Sequence, residues 1–264
     1  MKGFVVKYVI IIAVLSVLVH LGKGKFLTED LGEDYASENC PEYLEENLSE
    51  NTVRRSWKNY RGQDFCLTYS ITDFEHEESR LDRLRYKFVG LKENFWGELY
   101  QELYASSEDR LGNLIQELDS IRVDQNMNDL QFANMVVSFV QDIPYAYVLW
   151  SESCSDKEPM LGGCISDIKY GILSPSEFLY SLKGDCDTRT VLLYKLFKHF
   201  GYDPRIAVSD VYAHAMLLLD LPGMGKYLEE NGRRYYFWET THTGWQLGML
   251  PPDTGNTNYW EIAL

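Results

Sequence analysis

The stretch that decides the fold is Gly184-Asp-Cys-Asp-Thr-Arg-Thr190, followed by Val191-Leu-Leu-Tyr-Lys-Leu-Phe197. Asp185 is a favourable helix N-cap, and a glycine before it permits a tight approach of the chain. Apolar residues then recur at helical spacing until Gly201, which is a favourable helix end. The pattern predicts a helix that begins at Asp185 or Cys186 and buries the face formed by Leu193, Leu196, Phe197 and Phe200.

Cys186 would lie in the first turn of that helix. Unpaired backbone N–H groups and the positive end of the helix dipole favour a thiolate there and lower the pKa of the thiol. The same N–H groups can donate to an oxyanion that forms beside the sulfur. Cys186 is therefore a candidate nucleophile, which needs a base and a group that orients the base.

The segments on either side of this helix differ in character. Upstream, apolar residues at helical spacing predict a helix from about Asn128 to Asp142, which Pro144 stops. Downstream, the pattern changes to strands, which we expect at 205–209, 212–219, 234–240 and 245–250, with a turn at Asn231-Gly232. Helices, then the helix that carries Cys186, then an antiparallel sheet indicate an α+β fold.

His214 and Glu239 are the candidate base and its partner. His214 lies near the start of an apolar strand and Glu239 ends an aromatic one, where a polar group needs a partner. Adjacent hairpin strands would put the two side by side, and Glu239 would then fix the tautomer of the imidazole. A core histidine bonded to backbone is the alternative for His214, and His242 is the rival base. Because Glu239 and His242 alone are too few ligands for a metal, we expect neither a metal nor another cofactor.

Several segments together resemble the transglutaminase-like superfamily, in particular its bacterial cysteine peptidases. Gly184–Thr190 is similar to the nucleophile motif, Ala213–Leu217 to the histidine strand, and Glu239–Thr241 with Gly244–Gly248 to the strand of the third residue. Val140–Tyr145 and Ser174–Glu177 also look like segments that lead into the nucleophile motif. The likeness covers roughly residues 130–252 in family order, which is more specific than one short motif. It departs at Glu239, where the family commonly has aspartate.

The resemblance implies a papain-like α+β core, with the nucleophile helix packed on an antiparallel sheet. Cys186 would attack an amide carbonyl of a peptide or protein, and His214, held by Glu239, would shuttle the proton. The thioester would then pass to water, as in a protease or amidase, or to an amine, as in transamidation; the sequence leaves both open. A second oxyanion donor would come from the 141–150 segment, where the candidates are Gln141, Tyr145 and Trp150. The alternative is a catalytically silent domain that binds peptide or cell-envelope polymer in the same cleft.

The net charge of the chain limits the classes of molecule that it is expected to bind. The formal net charge is −15 and the isoelectric point about 4.8, so the surface repels phosphate backbones and nucleic-acid binding is not expected. Acidic residues crowd 26–56, which we interpret as a solvated spacer. We expect a mixed strand and helical extension over residues 57–127 and a transglutaminase-like catalytic domain over 128–264.

The N-terminal segment 1–25 is the clearest signal of organisation. Residues 4–21 form an apolar run that we interpret as an uncleaved membrane anchor, with a cleaved signal peptide as the alternative. The expected location is a bacterial inner membrane with the catalytic domain in the periplasm, or secretion if the segment is cleaved.

The five cysteines fit an exported protein. An odd number suggests two disulfides and one free thiol. Cys154 with Cys164 would close a short loop, and Cys40 with Cys66 would staple the N-terminal region. This pairing leaves Cys186 free.

Overall fold

The computed structural model describes residues 51–91, 95–106 and 110–264. All of these residues belong to one compact unit. The expected anchor at 4–21, most of the expected spacer and Cys40 lie outside the described residues. Within the described ranges, none of the helices combines the length and the apolar character that crossing a bilayer demands.

The described residues form a mixed α+β fold, as the sequence predicts. The helices are α1 (Asp73–Arg85), α2 (Phe95–Ser106), α3 (Gly112–Asp124), α4 (Asp129–Gln141), α5 (Pro175–Ser181) and α6 (Cys186–His199). The strands are β1 (Thr52–Lys58), β2 (Asp64–Ser70), β3 (Tyr147–Val148), β4 (Cys164–Ile165), β5 (Pro204–Ser209), β6 (His214–Leu219), β7 (Tyr227–Glu230), β8 (Arg233–Trp238) and β9 (Glu261–Ile262).

A five-stranded antiparallel sheet, in the order β7-β8-β6-β5-β9, follows the helix α6 that carries Cys186. Three of the four predicted strands correspond to β5, β6 and β8. The strand predicted at 245–250 is wrong, because that segment is irregular, with a turn at 247–248. The Asn231-Gly232 turn is present with positive φ at both residues, as a tight hairpin requires. It joins β8 to β7, a short strand that the sequence pattern did not indicate.

Helix α6 packs on one face of this sheet. Its residues Leu192, Leu193, Leu196 and Phe197 share a buried core with Leu217, Leu219 and Trp238 of β6 and β8. The opposite face of the sheet buries Met216, Leu218 and Phe237 against Trp260. Both faces of β6 are therefore buried, whereas its first residue, His214, is partly exposed.

The predicted extension is packed into the same core. Phe65, Leu67 and Tyr69 of β2 alternate inward as their spacing predicts, and they join the apolar cluster that includes α4. The Nε1–H of Trp57 in β1 donates to Ser138 Oγ of α4 at 3.1 Å. A fully buried ion pair between Arg83 and Glu177 (2.7 Å) ties α1 to α5. Residues on both sides of position 128 thus contribute to one core.

Candidate active site

Cys186 is the first residue of α6, as predicted. Asp185 is the N-cap, and its carboxylate accepts the N–H of Thr188 at 3.1 Å. A side chain at Gly184 would place its Cβ 2.8 Å from the ring of Phe178, so the turn into the helix has room only for glycine. Among the described cysteines Cys186 is the free one, and it is buried.

The surroundings of the thiol contradict the expected thiolate. Burial raises the pKa of Cys186 well above its ordinary value, and the negative charges of Asp187 and Asp185 raise it further. The backbone N–H of Ala215 donates to the sulfur and lowers the pKa, but by less. The Sγ–H donates to Asp187 Oδ2, with Sγ 3.5 Å from that oxygen. Desolvation and like charge outweigh the helix dipole here and favour the neutral thiol of Cys186.

Asp187 is also bonded to a residue of α2. The buried hydroxyl of Tyr100 donates a hydrogen bond to Asp187 Oδ1. Burial raises the pKa of Asp187, whereas the bonds from Tyr100 and Cys186 and the charge of His214 lower it without reversing the rise. Tyr100, Asp187 and Cys186 therefore form a continuous polar chain that reaches the helix start.

His214 and Glu239 lie side by side, which confirms their predicted pairing. His214 Nε2 is 2.9 Å from Glu239 Oε2, and the Glu239 side chain is almost fully buried. The other oxygen, Oε1, accepts the N–H groups of Thr240 and Thr241 (both 2.8 Å) and the Thr241 hydroxyl (2.7 Å). Burial raises the pKa of Glu239, but the bonds from His214 and Thr241 outweigh it, and the net shift is downward.

The charge state of Glu239 sets the tautomer of His214. An ionised carboxylate can only accept, so Nε2 carries the proton and Nδ1 keeps its lone pair for another partner. The next residue, Ala215, supplies the N–H that reaches the Cys186 sulfur. His214 and Asp187 also line one cavity of about 520 Å³, which Trp150 and Tyr170 border. The imidazole and the helix start thus meet at the same cleft.

Arg189 connects three parts of the site, and the sequence interpretation gave it no role. Its buried guanidinium donates to the carbonyl oxygens of Gly184 (2.9 Å), Val140 (2.8 Å) and Ile143 (2.6 Å), and more weakly to that of Thr240 (3.4 Å). Burial lowers the pKa of Arg189 to about 10. The side chain fixes the turn before the nucleophile, the end of α4 and the segment after Glu239 relative to one another.

The three oxyanion candidates differ in their surroundings. Gln141 is buried, and its amide nitrogen donates to the carbonyl oxygens of Glu239 (2.7 Å) and Trp245 (3.0 Å). Both amide hydrogens are thereby used, so an oxyanion role for Gln141 does not fit the structure. Trp150 is 55% exposed on the rim of the cavity.

Tyr145 is the remaining candidate of the three. Burial raises the pKa of its hydroxyl, and negative charge at the start of α6 raises it further. The hydroxyl therefore keeps its proton and can act as a hydrogen-bond donor.

The loop that borders the cleft carries the predicted disulfide. Cys154 and Cys164 are bonded, and Cys164 begins the short strand β4, which pairs with β3. Cys66 is also disulfide-bonded, and Cys40, its predicted partner, lies outside the described residues.

The rival histidine does not reach the site. His242 is exposed, and its Nδ1 bonds the carbonyl of Thr243. Across the described ranges, no three His, Cys, Asp or Glu side chains converge as metal ligands.

Tyr100 and Asp187 were missed for different reasons. Asp187 lies inside the motif, so its position next to the nucleophile was a usable signal. Tyr100 lies 87 residues from Asp187 in the chain. Because an aromatic residue on an amphipathic helix usually belongs to the core, the sequence pattern does not indicate its polar contact.

Comparison with known proteins adds no relative: no family model, no curated protein and no solved structure matches the chain.

Proposed function

We propose that the chain is a thiol acyltransferase or hydrolase of the transglutaminase-like type, which acts on peptide or isopeptide amide bonds. The observation that carries the proposal is the His214–Glu239 pair, held at the start of a strand whose next N–H bonds the Cys186 sulfur. Nucleophile, base and orienting carboxylate are the three roles that covalent acyl transfer requires.

The chemistry starts from a neutral thiol. His214 Nδ1 takes the proton of Cys186 as the sulfur attacks the substrate carbonyl carbon, which becomes tetrahedral. The oxyanion receives the N–H groups at the start of α6, and the Tyr145 hydroxyl is the best candidate for a second donor. The imidazolium then gives its proton to the leaving amine as the C–N bond breaks, and a thioester remains on Cys186. Water or a second amine, deprotonated by His214, releases the acyl group and restores the thiol.

Asp187 has a part in the resting state of this cycle. Because its carboxylate lies beside the sulfur and disfavours the thiolate, the proton leaves when substrate and His214 are in place. The nucleophile is thereby protected from alkylation and oxidation between turnovers, since both require the thiolate.

The proposal includes the location of the enzyme. The Cys154–Cys164 disulfide supports an oxidising, extracytoplasmic compartment, with residues 4–21 as the membrane anchor. A papain-like arrangement of α6 on the antiparallel sheet is part of the same proposal.

A second candidate function rests on one observation. The thiol is buried and bonded to Asp187, which also suits a catalytically silent domain that binds peptide in the cleft.

Trapping the acyl-enzyme separates the two candidates. The full chain, with its disulfides intact, is mixed with a short peptide activated as a thioester, and intact mass spectrometry follows the acyl adduct. We expect an adduct on Cys186, no adduct in Cys186→Ala, and acylation of His214→Ala slower by about 10²-fold or more. His199→Ala is the matched control, because His199 is exposed at the other end of α6.

Two results would overturn the enzyme proposal. One is an equal acylation rate in the wild-type chain and in His214→Ala. The other is the absence of any Cys186 adduct although peptide binds, which would establish the silent domain.

A further inference from the structure

A second cavity lies next to the active-site cavity. It encloses about 820 Å³ between α2 and β9, and its walls include Tyr86, Trp96 and Val208. Trp96 and Val208 also line the active-site cavity. Since the two cavities share these walls, we treat them as one groove that extends from His214 to β9.

The groove is acidic along its whole length. The active-site part is bordered by Glu152 and Asp210, and by Asp185 and Asp187, whose burial raises their pKa values and reduces their charge. The extension is bordered by Glu98, Glu102 and Glu261. Neither part has a Lys or Arg among its described wall residues. Glu152 pairs with Lys157, whereas the three acids of the extension have no ion-pair partner in the described ranges. Their charge is therefore available to a ligand.

Aromatic rings supplement these charges. Trp96, at the junction of the two parts, stacks on Tyr100 with ring centroids 5.7 Å apart. Tyr86 lies in the wall of the extension, and Tyr170 and Trp150 lie in the wall of the active-site part. Ring faces attract ammonium and guanidinium groups, and they also cover the aliphatic stems of lysine and arginine.

The spacing of the acids selects among cationic ligands. Because no three of them converge within the described residues, the groove does not form a cage for one metal ion. Separated carboxylates with aromatic rings between them suit a chain that carries several positive charges. An extended peptide also fits a groove that passes His214 and the start of α6.

We infer that this groove binds lysine- or arginine-rich peptide segments, and that the substrate of Cys186 is a cationic peptide or protein. The inference rests on the proposed function for the position of the reacting bond, but the binding preference can be measured without catalysis. Glu98, Glu102 and Glu261 are substrate-positioning residues, remote from the reacting atoms.

The test uses two peptides of equal length with the same central residue, one flanked by three lysines and the other by three glutamates. Each is offered to the full chain as an activated thioester, and the second-order rate of Cys186 acylation is measured by intact mass. Each is also labelled as a plain amide, and its binding to Cys186→Ala is measured by fluorescence anisotropy. We expect the lysine peptide to be favoured about tenfold or more at low salt, and less at 0.5 M salt.

The triple variant Glu98→Gln/Glu102→Gln/Glu261→Gln should reduce that preference about tenfold, since each removed charge contributes modestly at a solvated site. A matched triple on α3, Glu117→Gln/Asp119→Asn/Asp124→Asn, changes the net charge equally but lies outside both cavities. It should leave the preference unchanged within about twofold.

The outcomes separate the two proposals. Equal acylation and equal binding of the two peptides would overturn the cationic groove and leave the thiol enzyme standing. Preferential binding of the lysine peptide without any acylation would refute the enzyme and support the groove. A preference that both triple variants reduce alike would assign it to the overall charge and would overturn the groove.

Discussion

Replacing Arg189 with methionine is expected to lower the free energy of unfolding by about 3 kcal/mol. The guanidinium makes three hydrogen bonds of 2.9 Å or shorter to buried carbonyl oxygens. A bond from a charged donor contributes about 2 kcal/mol net, so the three contribute about 6 kcal/mol. Burial, which lowers the pKa of Arg189 to about 10, offsets roughly half of that gain. Methionine keeps most of the volume, so the cost of a new cavity is small.

The measurement is urea unfolding of the full chain with its disulfides oxidised, followed by circular dichroism. The slope against urea should not change, since the same surface is exposed on unfolding. Arg85→Met is the control, because the Arg85 side chain is 66% exposed where it pairs with Asp82 and should contribute less than about 1 kcal/mol. A loss below about 1 kcal/mol for Arg189→Met, or an equal loss in the control, would refute the role assigned to these bonds.

Three further predictions concern the acidic groups around the nucleophile. Asp187→Asn should speed iodoacetamide labelling of Cys186 at pH 7.5 by about threefold to tenfold, because a negative charge beside the sulfur is removed; slower labelling would make Asp187 the activating base instead. Asp185→Asn should stabilise the fold more at pH 8 than at pH 5 in urea titrations. Burial and the charge of Asp187 raise the pKa of folded Asp185 from 3.8 to about 8. Because the unfolded chain loses this proton more readily, ionisation of Asp185 disfavours folding progressively as the pH rises above about 3.8. The lowered pKa of Glu239 contributes stability that is present above about pH 4.5 and is lost as the carboxylate is protonated. Glu239→Gln should therefore lose less stability than the wild type as the pH falls below about 4.5. An acid profile equal to that of the wild type would contradict this.

The contribution of the sequence is clearest where the signal is local. Asp185 caps α6 because its side chain satisfies an N–H three residues away, and this interaction can be read from spacing alone. The alternation in β2 and in β6 likewise follows from which face of a strand is buried. The apolar residues of 245–250 suggest a strand, but the segment is irregular: Leu247 and Leu250 pack against different clusters and Met249 is exposed.

The tertiary structure decided the properties that depend on distant groups. The helix start at Cys186 predicts a low pKa, but burial and two neighbouring carboxylates reverse the shift. Gln141 had a suitable amide for an oxyanion, yet the carbonyls of Glu239 and Trp245 occupy it. The desolvation of a group and the hydrogen bonds that it already makes depend on all of its neighbours in space, and most of these neighbours are remote in sequence.

The sequence by itself determined where the helix that carries Cys186 begins, which cysteine stays free among those described, and that His214 and Glu239 belong together. These follow from nearest-neighbour patterns and from the need of a polar group in an apolar strand for a partner. Only the tertiary structure decided that the resting thiol is neutral, that Arg189 joins the parts of the site, and that acids and aromatic rings line the groove beside it. Those features arise where α2, α6 and the central sheet meet, because a charge acts through space and not along the chain.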